Sequence, residues 1–234
     1  MNSLERRVMI TKENIDIIFD YLLSGDVEVI ENSAILGVEF ALHMFMEYSK
    51  RRGVPLIVED IFDTLPVYLT HLRFLGVNFE DLDMKVIKVG GSQDAGNVVA
   101  RVRFETDPLI YQRKIDQKLQ KIIPDGKYIH LVLGLERLLS IQNNPHMIRA
   151  VLSSIRQKLG EKDGMSVYIL EKPLAKNPLF NPLPMLEDLA TSVIELVDEG
   201  AGIIGVYLKK SRLALLMNTQ RLLISPRDVV GWWE

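Results

Sequence analysis

Residues 27–42, VEVIENSAILGVEFAL, decide the fold. Val27, Val29 and Ile30 make a short β-rich run, and from Gly37 the chain turns into a strongly apolar helix that runs to about Tyr48. Lys50, Arg51, Arg52 and Gly53 close that helix, because cations suit its negative end and glycine suits the cap. Upstream, Thr11 can cap a helix over 11–24 in which Ile15, Ile18, Phe19 and Leu22 recur at helical spacing, with Gly25 beyond it. Downstream, strand and helix patterns alternate. Residues 55–59 (PLIVE) read as a fully buried strand and 65–75 as a helix. Further strands fall at 84–89 and, beyond a glycine-rich loop over 90–96, at 97–104. A helix over 107–123 follows, then a buried strand over 128–133, a helix over 145–159 and a strand over 165–171.

The proline-rich segment 172–184 can hold neither a helix nor a central strand. Strands at 192–197 and 203–208 come after it, joined by a turn over 198–202, and a third is predicted at 213–217. Helices lying between buried strands force crossover connections. The expected architecture is therefore an α/β three-layer sandwich, a mainly parallel sheet covered on both faces that finishes in antiparallel strands. No linker-type composition divides the chain, so one domain over 1–234 is expected, with the helix over 11–24 packed on it.

Composition removes several kinds of chemistry. The 234 residues include no cysteine, which excludes a disulfide scaffold, thiolate catalysis, Cys-ligated zinc and iron–sulfur clusters. With 28 basic and 31 acidic residues the formal charge is −3, so nucleic-acid binding would have to come from a local basic patch, and no nucleic-acid partner is expected. No apolar run approaches the roughly 20 residues that cross a bilayer, and residues 1–10 hold no signal-peptide core. A cytoplasmic chain without a membrane partner is the expectation.

Gly200-Ala201-Gly202-Ile203-Ile204-Gly205 matches a dinucleotide fingerprint, but strand-like residues follow it where a helix is needed, and it reads as a hairpin turn. Glu59, Asp60 and Asp63 gather at the C-terminal end of a buried strand, where ligands of open α/β sheets bind, and are candidate ligand-binding carboxylates. Their plainer role is a solvated loop with Asp60 or Asp63 capping the next helix. The four histidines are scattered and read as structural, so no metal site is expected. Lys209, Lys210 and Arg212 form a basic knot after a strand.

The order of these pieces resembles the RecA-like ATPases of the KaiC and RadA type, and the chain looks like a member of an archaeal family with a degenerate version of their pattern. The likeness rests on residues 15–31 (IDIIFDYLLSGDVEVIE) followed by Phe40-Ala41-Leu42, on Ile57-Val58-Glu59-Asp60, and on Leu75-Gly76-Val77. It continues through 128–133 in the Walker B strand's place, Ser192-Val193-Ile194-Glu195-Leu196, and Lys210-Ser211-Arg212. It implies a RecA-like sheet with a phosphate loop after residue 31.

Departures from the family are concentrated in that loop. A Walker A motif needs G-x-x-x-x-G-K-[ST], and here only Asn32, Ser33 and Gly37 are left as a remnant, with Gly37 or Val38 in the lysine position. No lysine or arginine occurs between Lys12 and Lys50. Glu39 would bring a like charge toward phosphate, a repulsion on the order of 1–4 kcal/mol at about 4 Å. The Walker B aspartate position falls on Gly134. The expectation is a protein with no catalytic residues and no cofactor, acting as an interaction or regulatory module. It would bind a protein partner or its own copies, with Lys210 and Arg212 as candidate interface residues. The alternative is a small-ligand binder or enzyme that uses Glu59, Asp60 and Asp63. A third reading, binding of single-stranded nucleic acid, needs a basic groove.

Overall fold

The computed structural model describes residues 8–22, 25–79, 84–105, 108–142, 144–175, 181–211, 213–214 and 221–233. Its elements are β1 (Val8–Met9), α1 (Lys12–Leu22), β2 (Val27–Asn32), α2 (Gly37–Arg52), β3 (Leu56–Ile61), α3 (Thr64–Phe74), β4 (Met84–Val89), β5 (Asn97–Val102) and α4 (Pro108–Gln120). After these come β6 (Tyr128–Leu133), α5 (Leu135–Ser140), α6 (Pro145–Gln157), β7 (Gly164–Glu171), α7 (Leu183–Leu189), β8 (Ser192–Asp198), β9 (Ile204–Lys210), β10 (Arg221–Ile224) and α8 (Pro226–Gly231).

The strands form one ten-stranded sheet in the order β1-β10-β9-β8-β2-β7-β6-β3-β4-β5. From β8 to β5 every neighbour is parallel, and β9 is antiparallel to both β8 and β10. Strands β2, β3 and β6 are buried along their whole length, which is why they read as runs of consecutive apolar residues and not as alternations. Side chains still alternate between the two faces. One face packs Ile30, Val58 and Leu131 against α1, α2 and α3, and the other packs Ile57, Ile61 and Val132 against α4, α5 and α6. Helix α1 is held on α2 by Phe19, which stacks on Tyr48 and meets Phe45 edge-on, and Tyr48 donates to Asp20 at 2.7 Å.

The fold is the expected three-layer α/β sandwich with antiparallel strands at its C-terminal side, and several local expectations need correction. No strand begins at residue 213. Leu213 and Ala214 are helical, residues 215–217 lie outside the described residues, and the last strand is Arg221–Ile224. Helix α7 starts inside the proline-rich segment, since Pro182 and Pro184 occupy its first positions, where a missing N–H costs nothing. Helix α5 was hidden by its shortness. The glycine run 200–205 is the β8–β9 hairpin, closed by the Glu199 amide donating to the Ile203 carbonyl at 2.9 Å. No helix among the described residues is long and apolar enough to cross a membrane.

Candidate functional site

Because β2, β7, β6 and β3 are parallel neighbours, their C-terminal ends and the loops that follow share one edge of the sheet. At that edge residues 33–36 join β2 to α2. The loop is organised from inside by Asn32, whose side chain is 2% exposed. Its Oδ1 accepts from the Ala34 amide at 3.1 Å, and its Nδ2 donates to the Ala34 carbonyl at 3.0 Å and to Glu171 Oε2 at 2.9 Å. The Ser33 amide donates to the Leu196 carbonyl at the end of β8 at 2.8 Å. Leu36 closes the loop in a left-handed conformation (φ 61°), and α2 begins at Gly37. A Cβ on Gly37 would fall on Asn32 Oδ1, so glycine is required by the packing of Asn32 itself.

Glu39, in the first turn of α2, is buried and accepts a 2.6 Å hydrogen bond from His71 Nδ1 of α3. Its carboxylate complements the partial positive charge at the helix start. Two more carboxylates share this edge. Glu171, at the end of β7, accepts from Asn32 and, at 3.3 Å, from the Tyr68 hydroxyl. Burial raises its pKa, and the charge of Glu39 adds to that. Glu136 of α5 is fully buried, and Arg137 Nε lies 3.7 Å away. Burial pushes its carboxyl up to about 7, against its own backbone amide and Arg137, with Glu171 adding to the effect. Burial, and then the charges of Glu171, Glu136 and Glu39, raise the pKa of Tyr68, whose hydroxyl meets Glu171.

Gly134 stands between β6 and α5 with φ 85°. A Cβ there would lie 2.5 Å from the Ile61 carbonyl oxygen and on Thr64 Oγ1. No aspartate fits at this point of the edge while β3 runs into α3 as it does.

Of the three carboxylates singled out at the end of β3, Glu59 and Asp60 face opposite sides of the sheet and Asp63 precedes α3. Strand alternation turns Glu59 to the α4–α6 face, where His130 Nε2 lies 3.4 Å from it, and turns Asp60 to the other. Asp60 is completely buried, accepts from the Leu65 amide at 2.8 Å, and pairs at 2.9 Å with the ammonium of Lys88. Lys88, 2% exposed, also pairs with Asp63, which accepts from the Ser92 and Gln93 amides. Burial works against the charged form of Asp63, but Lys88 and these two amides outweigh it and lower its pKa. The pair Asp60 and Asp63 thus ties β3 to the loop after β4.

Lys209 and Lys210 are also engaged within the chain. Lys209 reaches Glu31 at 3.1 Å and Glu187 at 2.6 Å, and Lys210 donates to the carbonyls of Glu187 (3.1 Å) and Asp188 (3.0 Å) at the end of α7. Arg212 lies outside the described residues. Glu171 and Lys88 were not singled out from the sequence. A strand-end acid beside the β2 loop would have marked the first, and a lysine in an otherwise apolar strand the second. Among the described residues no three His, Asp or Glu side chains converge to hold a metal ion.

A parallel sheet in which β7 separates β2 from β6, with β2 leading through a loop into α2, is a RecA- and KaiC-like arrangement. The family described as Pyrococcus protein of unknown function, DUF257, matches residues 18–221, and the chain belongs to this archaeal family. A solved structure of PH0250 from Pyrococcus horikoshii OT3 is similar at 25% identity and a TM-score of 0.72, covering 85% of this chain and 93% of that one. The KaiC-like protein PH0186 from the same organism has 16% identity and a TM-score of 0.55, with 89% of each chain covered. That second likeness concerns the fold. No functionally curated protein matches the sequence.

Lys88→Met should cost roughly 3–5 kcal/mol in chemical denaturation, because it leaves Asp60 buried and uncompensated, whereas Asp60→Leu with Lys88→Met should recover much of that loss. Glu136 gives a pH signature. Its folded-state pKa is raised, so it has no effect on stability below about pH 4.5, lowers stability as pH rises from there to about 7, and holds that full loss above. Glu136→Gln should therefore be more stable than the parent at pH 8 by on the order of 3 kcal/mol and nearly equal to it at pH 4, as read by thermal unfolding.

Proposed function

We propose that this RecA-like chain is a non-catalytic module, built for interaction or regulation and not for ATP hydrolysis. The observation that carries this reading is the β2–α2 loop folded around Asn32. Phosphate binding by such a loop needs outward backbone amides, a lysine and a hydroxyl for magnesium. Here the Ala34 amide is turned onto Asn32, and the carboxylates Glu39, Glu136 and Glu171 stand at the same edge. Three acids in a buried setting repel a polyphosphate. The continuous sheet supports the reading of one domain.

Self-association is the interaction that the surface favours. Beside the loop, Ile35, Leu36, Phe40, Leu75, Ile203 and Val230 line an apolar groove of about 620 Å³. Ile35 is 76% exposed, and Phe74, next to the groove, 85%. The same groove carries an exposed acid and an exposed base, Asp198 and Arg227. A two-fold pairing would set each against its opposite, since an isologous contact places one patch against itself. A second copy of the chain is therefore the occupant proposed.

Isothermal titration of up to about 1 mM Mg–ATP should give no binding heat, and micromolar binding would overturn the non-catalytic reading. In sedimentation at tens of micromolar, the parent should be dimeric, Arg227→Asp monomeric, and Arg227→Asp with Asp198→Arg dimeric again. A monomeric parent would rule out the pairing.

A further inference from the structure

The chain is acidic overall, but its positive charge is unevenly placed. Residues 108–121 and 145–158, which are α4, α6 and the residue after each, hold Arg113, Lys114, Lys118, Lys121, Arg149, Arg156 and Lys158 against the single acid Asp116. Seven bases and one acid give +6 there, so the remainder of a chain with net charge −3 carries −9. The two helices lie side by side on one face of the sheet. Tyr111, Ile115 and Leu119 of α4 and Ile148, Leu152 and Ile155 of α6 turn inward, which leaves the polar residues outward. Glu105 pairs with Lys114, and Glu161 with Lys158. Among the described residues Arg113, Lys118, Lys121, Arg149 and Arg156 have no acidic partner. Lys114 and Lys118, four residues apart, repel each other and work against the helix that carries them.

Between the helices runs a cleft of about 490 Å³, lined by Arg113, Gln117 and Gln120 from α4 and by Ser153 and Gln157 from α6. These are guanidinium, amide and hydroxyl groups. At its floor Gln112 donates to Asp116 at 3.2 Å and to Ser154, and burial raises the Asp116 pKa toward the uncharged form. The only apolar residue lining the cleft is Ala150, so it lacks the apolar centre of a protein interface. The aromatic residue of these helices, Tyr111, is 1% exposed and cannot stack on an unpaired base.

We infer that the α4–α6 face is a binding surface for the phosphodiester backbone of double-stranded nucleic acid. Arg113 in the cleft wall and the other unpaired bases of the two helices neutralise phosphates, and the amides and hydroxyls of the cleft donate to phosphate and sugar oxygens. Such contacts position a duplex without reading its sequence. This surface lies across the sheet from α2, so it stands or falls independently of nucleotide binding at the β2 loop. It departs from the expectation, drawn from the overall charge, that nucleic acid is not a partner.

The test is fluorescence anisotropy of the full chain with a labelled 30-base-pair DNA duplex of arbitrary sequence, between about 50 and 200 mM salt. Binding should weaken with salt at a log–log slope near −0.9 per phosphate neutralised, or about −4 to −5 if all five free cations engage. Arg113→Glu with Arg149→Glu should weaken binding at least about tenfold and lower the slope by about 2. Lys12→Glu with Lys50→Glu has the same net charge but lies on the other face, and should bind like the parent. Absence of duplex binding at about 50 mM salt would overturn the inference, as would an equal loss in both double variants. Tighter binding of a single strand of the same length, or binding only to an acidic protein partner, would also overturn it. Circular dichroism of both variants verifies that the helices are retained.

Discussion

Asn32 controls what the C-terminal edge of the sheet can do. It is the last residue of β2, where a RecA-like fold opens into its phosphate loop, and its amide side chain makes three hydrogen bonds within about 3.1 Å. Two of them fold the next two residues back onto it, and the third fastens the loop to β7. A buried amide with these partners is difficult to displace, because each bond broken leaves an unsatisfied polar group. Gly37 then follows from Asn32, since no other residue leaves the side chain room. Glu39 occupies the favourable end of α2, so the charge of the helix start is answered from within the chain.

The rest of the edge is arranged consistently with that closure. Gly134 has no room for a side chain, and of the acids that remain at this edge, Glu136 and Glu171 lie in a buried setting that disfavours their ionised forms, while Glu39 is held by His71. Lysines that could have offset them are committed elsewhere. Lys88 neutralises Asp60 and Asp63, Lys172 lies between Glu31 and Glu195, and Lys209 bridges Glu31 and Glu187. On the opposite layer α4 and α6 carry Arg113, Lys118, Lys121, Arg149 and Arg156, which have no acidic partner among the described residues. The sheet thus separates an acidic edge from a basic face.

Much of the fold was legible because long buried strands and helices leave strong apolar patterns. The runs VEVIE, PLIVE and YIHLVL each marked a central parallel strand, and Lys50–Gly53 marked the end of α2. What escaped was short or depended on distant partners. Helix α5 has six residues, β1 pairs with the distant β10, and the prolines that seemed to forbid α7 sit at its start. The missing lysine near Gly37 was visible in the sequence, but the reason that none fits was not, because it lies in the packing of Asn32. The acids at the end of β3 are separated for a related cause. Neighbouring strand residues face opposite ways, and Lys88, which claims two of the three acids, comes from another strand.

The claim on which most depends is that the β2–α2 loop stays closed on Asn32 whether or not nucleotide is offered. Amide hydrogen exchange at Ala34, whose N–H donates to Asn32 Oδ1, reads this directly. Exchange should be slow in the free protein and unchanged by about 5 mM Mg–ATP. Rapid exchange in the free protein, or a change in protection of Ala34 on adding nucleotide, would mean that the loop opens to phosphate and would contradict the closed site.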